Sequence, residues 1–109
     1  MIGFNVKDFD FRFMTIRSRI LGVPVPDDLW VGRYWSTRII CLQEIFTGYS
    51  RDIAGYSLGA ICRACGLGNK AGSGADFARL FAEDRKAALA YLEQDLRLEA
   101  ALAKRLGVL

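Results

Sequence analysis

The stretch "GFNVKDFD", residues 3–10, sets an extended-looking apolar opening directly against a helical pattern. The run "MIGF" that leads into it reads as a short strand. From Phe9 onward, Phe9, Phe13, Ile16 and Ile20 fall on one face of a helix. Arg12 and Arg19, seven residues apart, mark another face of the same helix. Gly22, Pro24 and Pro26 end it, and "VPVPDD" reads as a loop. Asn5, Phe9 and Asp10 therefore sit where a strand gives way to a helix.

Further along, "RIICL", residues 38–42, has the β-branched character of a buried strand, with Trp30 and Trp35 just before it. "QEIFTG" follows as a short helix closed by Gly48. Ser57 is placed to cap a helix whose apolar face is Leu58, Ile61, Cys62 and Cys65, with Gly66 as its terminator. A glycine-rich loop, "GLGNKAGSG", precedes a short helix carrying Phe77, Leu80 and Phe81. Asp84 then caps the longest helix, over roughly 85–106, with an expected apolar stripe of Leu92, Leu96, Ala100, Ala103 and Leu106. The expectation is an α+β chain, predominantly helical, with four or five helices and two short strands. Two strands are too few for a self-sufficient sheet.

The length of 109 residues implies one small domain over 1–109. A hydrophobic fraction of 52% with 25% charged residues belongs to a globular chain, not a disordered one. The net charge of +3 permits a polyanionic partner without demanding one. No apolar run is long enough to cross a membrane, and the N-terminus lacks the layout of a secretory signal, so a cytoplasmic location is expected. The three cysteines then read as reduced thiols. Histidine is absent, which removes the usual neutral-pH base and the commonest transition-metal ligand. Any catalysis must run on carboxylates, a tyrosine, or metal ions held by oxygen.

Within the long helix, "YLEQD" puts Tyr91 and Asp95 one turn apart on one face, beside the Leu92/Leu96 stripe at the edge of the core. A carboxylate there can hold magnesium or manganese, which prefer oxygen ligands, and a tyrosine beside it can orient a water. The bland alternative is a half-buried tyrosine next to a solvated aspartate.

The two stretches in order, with "YSLGAICRACGL" and the Gly/Lys loop between them, resemble the C-terminal part of the proofreading-type 3′–5′ exonucleases. More narrowly, the chain is similar to the tyrosine branch of the DEDD group, on a ribonuclease-H-like fold. That family's second motif, Asn-x-x-x-Phe-Asp, is matched by Asn5, Phe9 and Asp10, and its third, Tyr-x-x-x-Asp, by Tyr91 and Asp95. The resemblance covers residues 1–17 and 56–109. It implies Asp10 and Asp95 as ligands of two divalent ions, Mg2+ or Mn2+, Tyr91 as the residue that positions the attacking water, and Asn5 near the terminal nucleotide. Two-metal hydrolysis of this kind needs no histidine. The loop carrying Lys70 corresponds to one that lies near the substrate in that family, although a plain turn explains its glycines equally well.

The chain also departs from the family. The first motif, Asp-x-Glu, has no match here, and the three strands expected ahead of "MIGF" are not represented. Where the family has a further aspartate near the next strand, "IICLQEIF" places Cys41. A site with two carboxylates holds magnesium weakly, since that ion needs several anionic oxygens. The expectation is therefore a truncated ribonuclease-H-like fold, inactive alone and dependent on another chain for hydrolysis of single-stranded or 3′-ended DNA. The alternative is a non-catalytic interaction module, phage- or mobile-element-encoded, that pairs with another protein or with itself through an exposed sheet edge. "CRAC", residues 62–65, lacks the partners a structural zinc needs, so Cys62 and Cys65 read as buried thiols. Arg12, Arg17 and Arg19 read as a solvated helix face.

Overall fold

The computed structural model describes residues 1–24, 39–70, 72 and 74–108, with residue 8 described by its backbone alone. Among the described residues the chain is α+β and predominantly helical, with five α-helices and two short parallel strands. It divides into two compact units, Met1–Arg51 and Asp52–Leu109. Among the described residues no helix is long and apolar enough to cross a membrane.

In the first unit, β1 (Ile2–Gly3) pairs in parallel with β2 (Ile40–Cys41), Ile2 opposite Ile40 and Gly3 opposite Cys41. The Ile40 N–H donates to the Met1 carbonyl at 2.8 Å. Parallel neighbours cannot be joined by a tight hairpin and need a crossover. Here the crossover contains a π-helical turn, Val6–Phe11, which runs straight into α1, Arg12–Leu21. Asn5 makes the bend between strand and turn possible: it adopts the left-handed conformation, φ 53° and ψ 26°, that asparagine tolerates better than most side chains.

The wide π turn alters which aromatic residue is buried. A π turn closes over one residue more than an α turn and so rotates everything after it. Phe11 enters the core at 6% exposure, whereas Phe9, Phe13, Ile16 and Ile20, the face expected from the apolar spacing, are all exposed. The other buried side chains of this unit are Ile39, Cys41, Leu42 and Gln43. The Lys7 ammonium reaches Glu44 Oε2 at 2.8 Å and ties the π turn to α2, Leu42–Phe46. The strand expected over 38–42 is shorter than its apolar run because Leu42 already begins α2. Residue 38 lies outside the described residues, as do Pro26, Trp30 and Trp35.

In the second unit, α3 (Leu58–Ala64) opens on Ser57, whose Oγ accepts from the Ala60 N–H at 3.2 Å. It closes with Gly66 donating to Arg63 and Leu67 donating to Cys62, the paired bonds that a left-handed glycine permits (φ 69°). The same pair of bonds ends α1, α2 and α5 at Gly22, Gly48 and Gly107. A 3-10 turn, Gly74–Asp76, leads into α4, Phe77–Glu83. Asp84 then caps α5, Arg85–Arg105, by accepting from the Ala87 N–H at 3.1 Å.

Helix α5 packs on α3 and α4. Its buried face is Ala88, Tyr91, Leu98, Leu102 and Ala103, which with Leu58, Ile61 and Cys62 make up the core of this unit. The stripe expected from sequence is therefore displaced. Ala103 is buried and Leu106 half-buried, but Ala100 is exposed, and Leu92 and Leu96 are exposed at 40% and 64%. The physical reason lies at two polar positions. Tyr91 buries a large ring, and Asp95 can share that face because a lysine neutralises it.

Candidate functional site

Tyr91 and Asp95 project from the same buried face of α5, one turn apart. Tyr91 is 8% exposed, so it belongs to the core and not to its rim, where the sequence placed it. Phe77 of α4 lies against it with ring centroids 6.1 Å apart and planes tilted by 36°. Gly72, at φ 145°, lies beside it, where a Cβ would stand 3.6 Å from the Tyr91 ring, an ordinary van der Waals contact.

The glycine-rich loop delivers Lys70 to this face. Gln94 Nε2 donates to the Asn69 carbonyl at 3.2 Å and anchors the loop to α5. Gly68 approaches closely enough that a Cβ would stand 3.3 Å from Leu98 Cδ2. Directly after these two anchor points the Lys70 ammonium sits 3.1 Å from Asp95 Oδ2 and 5.5 Å from the centre of the Tyr91 ring. Burial acts to lower the Lys70 pKa, but the Tyr91 hydroxyl and the Asp95 carboxylate outweigh it and hold the group above its ordinary value. The side chains of Lys70 and Asp95 retain only 23% and 19% of their exposure.

Two polar atoms of this cluster are buried and have no hydrogen-bond partner among the described residues: the Tyr91 hydroxyl and Asp95 Oδ1. Leaving such groups unsatisfied is costly, and native structures contain few of them. Cys62 lies nearby, fully buried, with its Sγ 4.0 Å from the Leu98 carbonyl. Burial first, and then the charges of Cys65, Asp95 and Glu99, push its thiol above the ordinary value. Cys65 is half-buried and Cys41 is buried in the first unit; all three thiols are free.

The remaining expected site residues lie in the first unit. Asn5 is half-buried and bends the chain; its carbonyl accepts from the Phe9 N–H at 3.3 Å. Phe9 and Asp10 are exposed on the π turn. Among the described residues, no group of three or more His, Cys, Asp or Glu side chains is placed to hold a metal ion. Asp95 offers one buried oxygen, Oδ1, with no hydrogen-bond donor among the described residues, but the Lys70 ammonium on the other oxygen of the same carboxylate already neutralises it.

Sequence reasoning missed the Lys70–Asp95 pair. It placed the Lys70 loop near a substrate or in a plain turn, and read Asp95 as a metal ligand or, in the bland alternative, as a solvated carboxylate. The signal that could have found the pair is the loop itself, whose glycine at 68 allows close backbone approach to a helix with a carboxylate on its apolar face. No family model matches the chain, and neither a curated protein nor a solved structure is significantly similar to it.

Proposed function

We propose that the chain is part of a 3′–5′ exonuclease of the tyrosine-branch DEDD type, on a ribonuclease-H-like scaffold, and that its site is incomplete within these 109 residues. The observation that carries this reading is the pair of unsatisfied oxygens, the Tyr91 hydroxyl and Asp95 Oδ1, on one face of α5. A purely packing helix has no need of either. The parallel strand pair with a helical crossover, and Asn5 at the bend between strand and helix, support the same scaffold.

In this reading Asp10 and Asp95 are oxygen ligands for Mg2+ or Mn2+. When bound, a pair of such ions supplies the positive charge that stabilises the attacking and leaving oxygens of a phosphodiester. Tyr91, its ring packed against Phe77, would orient the attacking water through its hydroxyl. Asn5 and Phe9 lie along the path of a single-stranded 3′ end. The further acidic ligands come from polypeptide outside these residues, because the sequence contains no Asp-x-Glu.

The test is release of nucleotides from 3′-labelled single-stranded DNA in Mg2+ or Mn2+. The 109-residue chain alone is expected to release none, and co-expression with the coding sequence immediately upstream is expected to restore hydrolysis that Asp95→Ala removes. Activity of the chain alone that disappears in Asp95→Ala would show the site to be self-sufficient. Activity of the co-expressed material that survives Asp95→Ala would remove Asp95 from the reaction.

A second reading rests on a separate observation. Phe9, Phe13, Ile16 and Ile20 form an exposed apolar face, at 68%, 66%, 49% and 70% exposure. Such a face suits an interaction module that associates with another chain or with itself. Light scattering that returns a strict monomer, with no partner retained, counts against it.

A further inference from the structure

We propose that the exposed apolar stripe of α1 docks on an anionic phospholipid bilayer, with the helix lying in the plane of the interface. The proposal uses the face on which the second reading rests and gives it a lipid occupant instead of a protein one. Nuclease assays bear on it in neither direction.

The helix turns its apolar side outward. At 3.6 residues per turn, Phe11, Thr15 and Ser18 fall within about 60° of one another, and these are the buried and half-buried positions through which the helix meets its own unit. Phe13, Ile16 and Ile20 fall within a similar arc on the opposite side and are all exposed, as is Phe9 on the preceding π turn. A surface helix of a globular protein shows the reverse arrangement, with its large apolar side chains toward the fold. Here a threonine and a serine take the inner face and leave the large side chains to another phase.

The charges around the stripe select that phase. Arg12 and Arg19 line one flank and Arg17 the other, all exposed, and no acidic residue occurs from Phe11 to Leu21. Two copies packed stripe to stripe would set these arginines against each other with no carboxylate on the helix to answer them, and like charges so placed oppose association. A nucleic-acid backbone would answer the arginines but leave the apolar stripe in water. A protein partner would need an apolar groove with carboxylates along both rims. A bilayer supplies both features to any helix lying in it: acyl chains beneath the stripe, and phosphates on either side that arginine heads reach while their stems lie on apolar surface. With 10 residues α1 is about half the length needed to cross a bilayer, so it lies on the surface and does not span it.

The experiment is co-sedimentation of the full chain with vesicles of mixed phosphatidylserine and phosphatidylcholine, and with vesicles of phosphatidylcholine alone. Wild type is expected to bind the mixed vesicles at least about tenfold more tightly than the neutral ones, and to be released by salt. Arg12→Gln/Arg17→Gln is expected to lose about tenfold or more on the mixed vesicles only. Phe13→Ser/Ile20→Ser is expected to lose about tenfold or more on both kinds. No binding to either vesicle overturns the proposal; if light scattering then shows a dimer that Phe13→Ser/Ile20→Ser disperses, the face belongs to a second copy. Binding that needs the arginines but not Phe13 and Ile20 is plain charge adsorption and overturns it as well. Should a variant fail to fold, backbone NMR of wild type on bicelles of the same mixed lipids, carrying a spin-labelled lipid, replaces it. Docking then requires the signals of Phe13, Ile16 and Ile20 to broaden before those of Thr15 and Ser18, and uniform broadening overturns the proposal.

Discussion

The Lys70 ammonium and Asp95 Oδ2 stand 3.1 Å apart, joining a glycine-rich loop to the buried face of the longest helix. The pair explains how a carboxylate can occupy a core-facing position. An unpaired aspartate there would be neutralised or driven outward. The first prediction follows from this pair. Asp95→Asn and Lys70→Met are each expected to destabilise the chain by about 1–3 kcal/mol, between the values typical of exposed and buried pairs. The double variant is expected to lose less than the sum of the two. Urea denaturation of the four proteins measures the coupling, and strict additivity would show that the two groups do not interact in solution.

Tyr91 separates packing from chemistry. Its ring is buried against Phe77, while its hydroxyl makes no hydrogen bond of good geometry among the described residues and acts on the Lys70 ammonium only weakly. Tyr91→Phe removes only the unsatisfied atom and is expected to change stability by less than about 1 kcal/mol, or to raise it. Tyr91→Ala empties the ring's space and is expected to cost about 3–5 kcal/mol. Thermal and urea unfolding check both. A large loss in Tyr91→Phe would reveal a hydrogen bond to that hydroxyl.

Gly3 is buried in the strand pair, and a Cβ at that position would run into the Val6 side chain. Gly3→Ala is expected to destabilise the chain by about 1–3 kcal/mol through overpacking. Adding Val6→Ala is expected to return part of that loss. A Gly3→Ala variant as stable as wild type would contradict the close approach of the π turn to β1.

The thiols differ in reactivity for reasons of burial and charge. Cys41 and Cys62 are buried, Cys65 is half-buried, and the Cys62 thiol is pushed up first by burial and then by its neighbours. Iodoacetamide is expected to label Cys65 first, with Cys62 reacting only on unfolding, as read by peptide mass spectrometry. The raised thiol also sets a sign for the pH dependence. The folded state favours the protonated form, so the contribution is intact below the ordinary value of 9.0 and is lost as pH rises through the higher folded-state value. Stability is expected to fall above pH 9.0 by a smaller amount in Cys62→Ala than in wild type.

Much of the local structure was legible in the sequence, because it depends on residues close in the chain. Ser57 and Asp84 cap the helices they were expected to cap, and Gly22, Gly48 and Gly66 end theirs. The apolar stripes were less legible. Periodicity alone cannot distinguish Leu92 and Leu96 from Leu98 and Leu102 as the buried set on a helix rich in leucine and alanine. The choice was made by Tyr91 and by a lysine more than twenty positions away. Nor did spacing reveal the π turn, whose extra residue exchanges Phe9 for Phe11 in the core. Of the candidate site, the shared face of Tyr91 and Asp95 followed from helical geometry. The ion pair with Lys70 did not, because it depends on how a glycine loop lies over that face.

The central structural claim is that the Lys70 ammonium is held between the Asp95 carboxylate and the Tyr91 ring. The most direct measurement is the side-chain NMR spectrum of Lys70 in the full chain. The account predicts methylene signals displaced by the Tyr91 ring current and moved back toward free-lysine positions in Asp95→Asn. Lys70 signals at free-lysine positions in the wild type would contradict it.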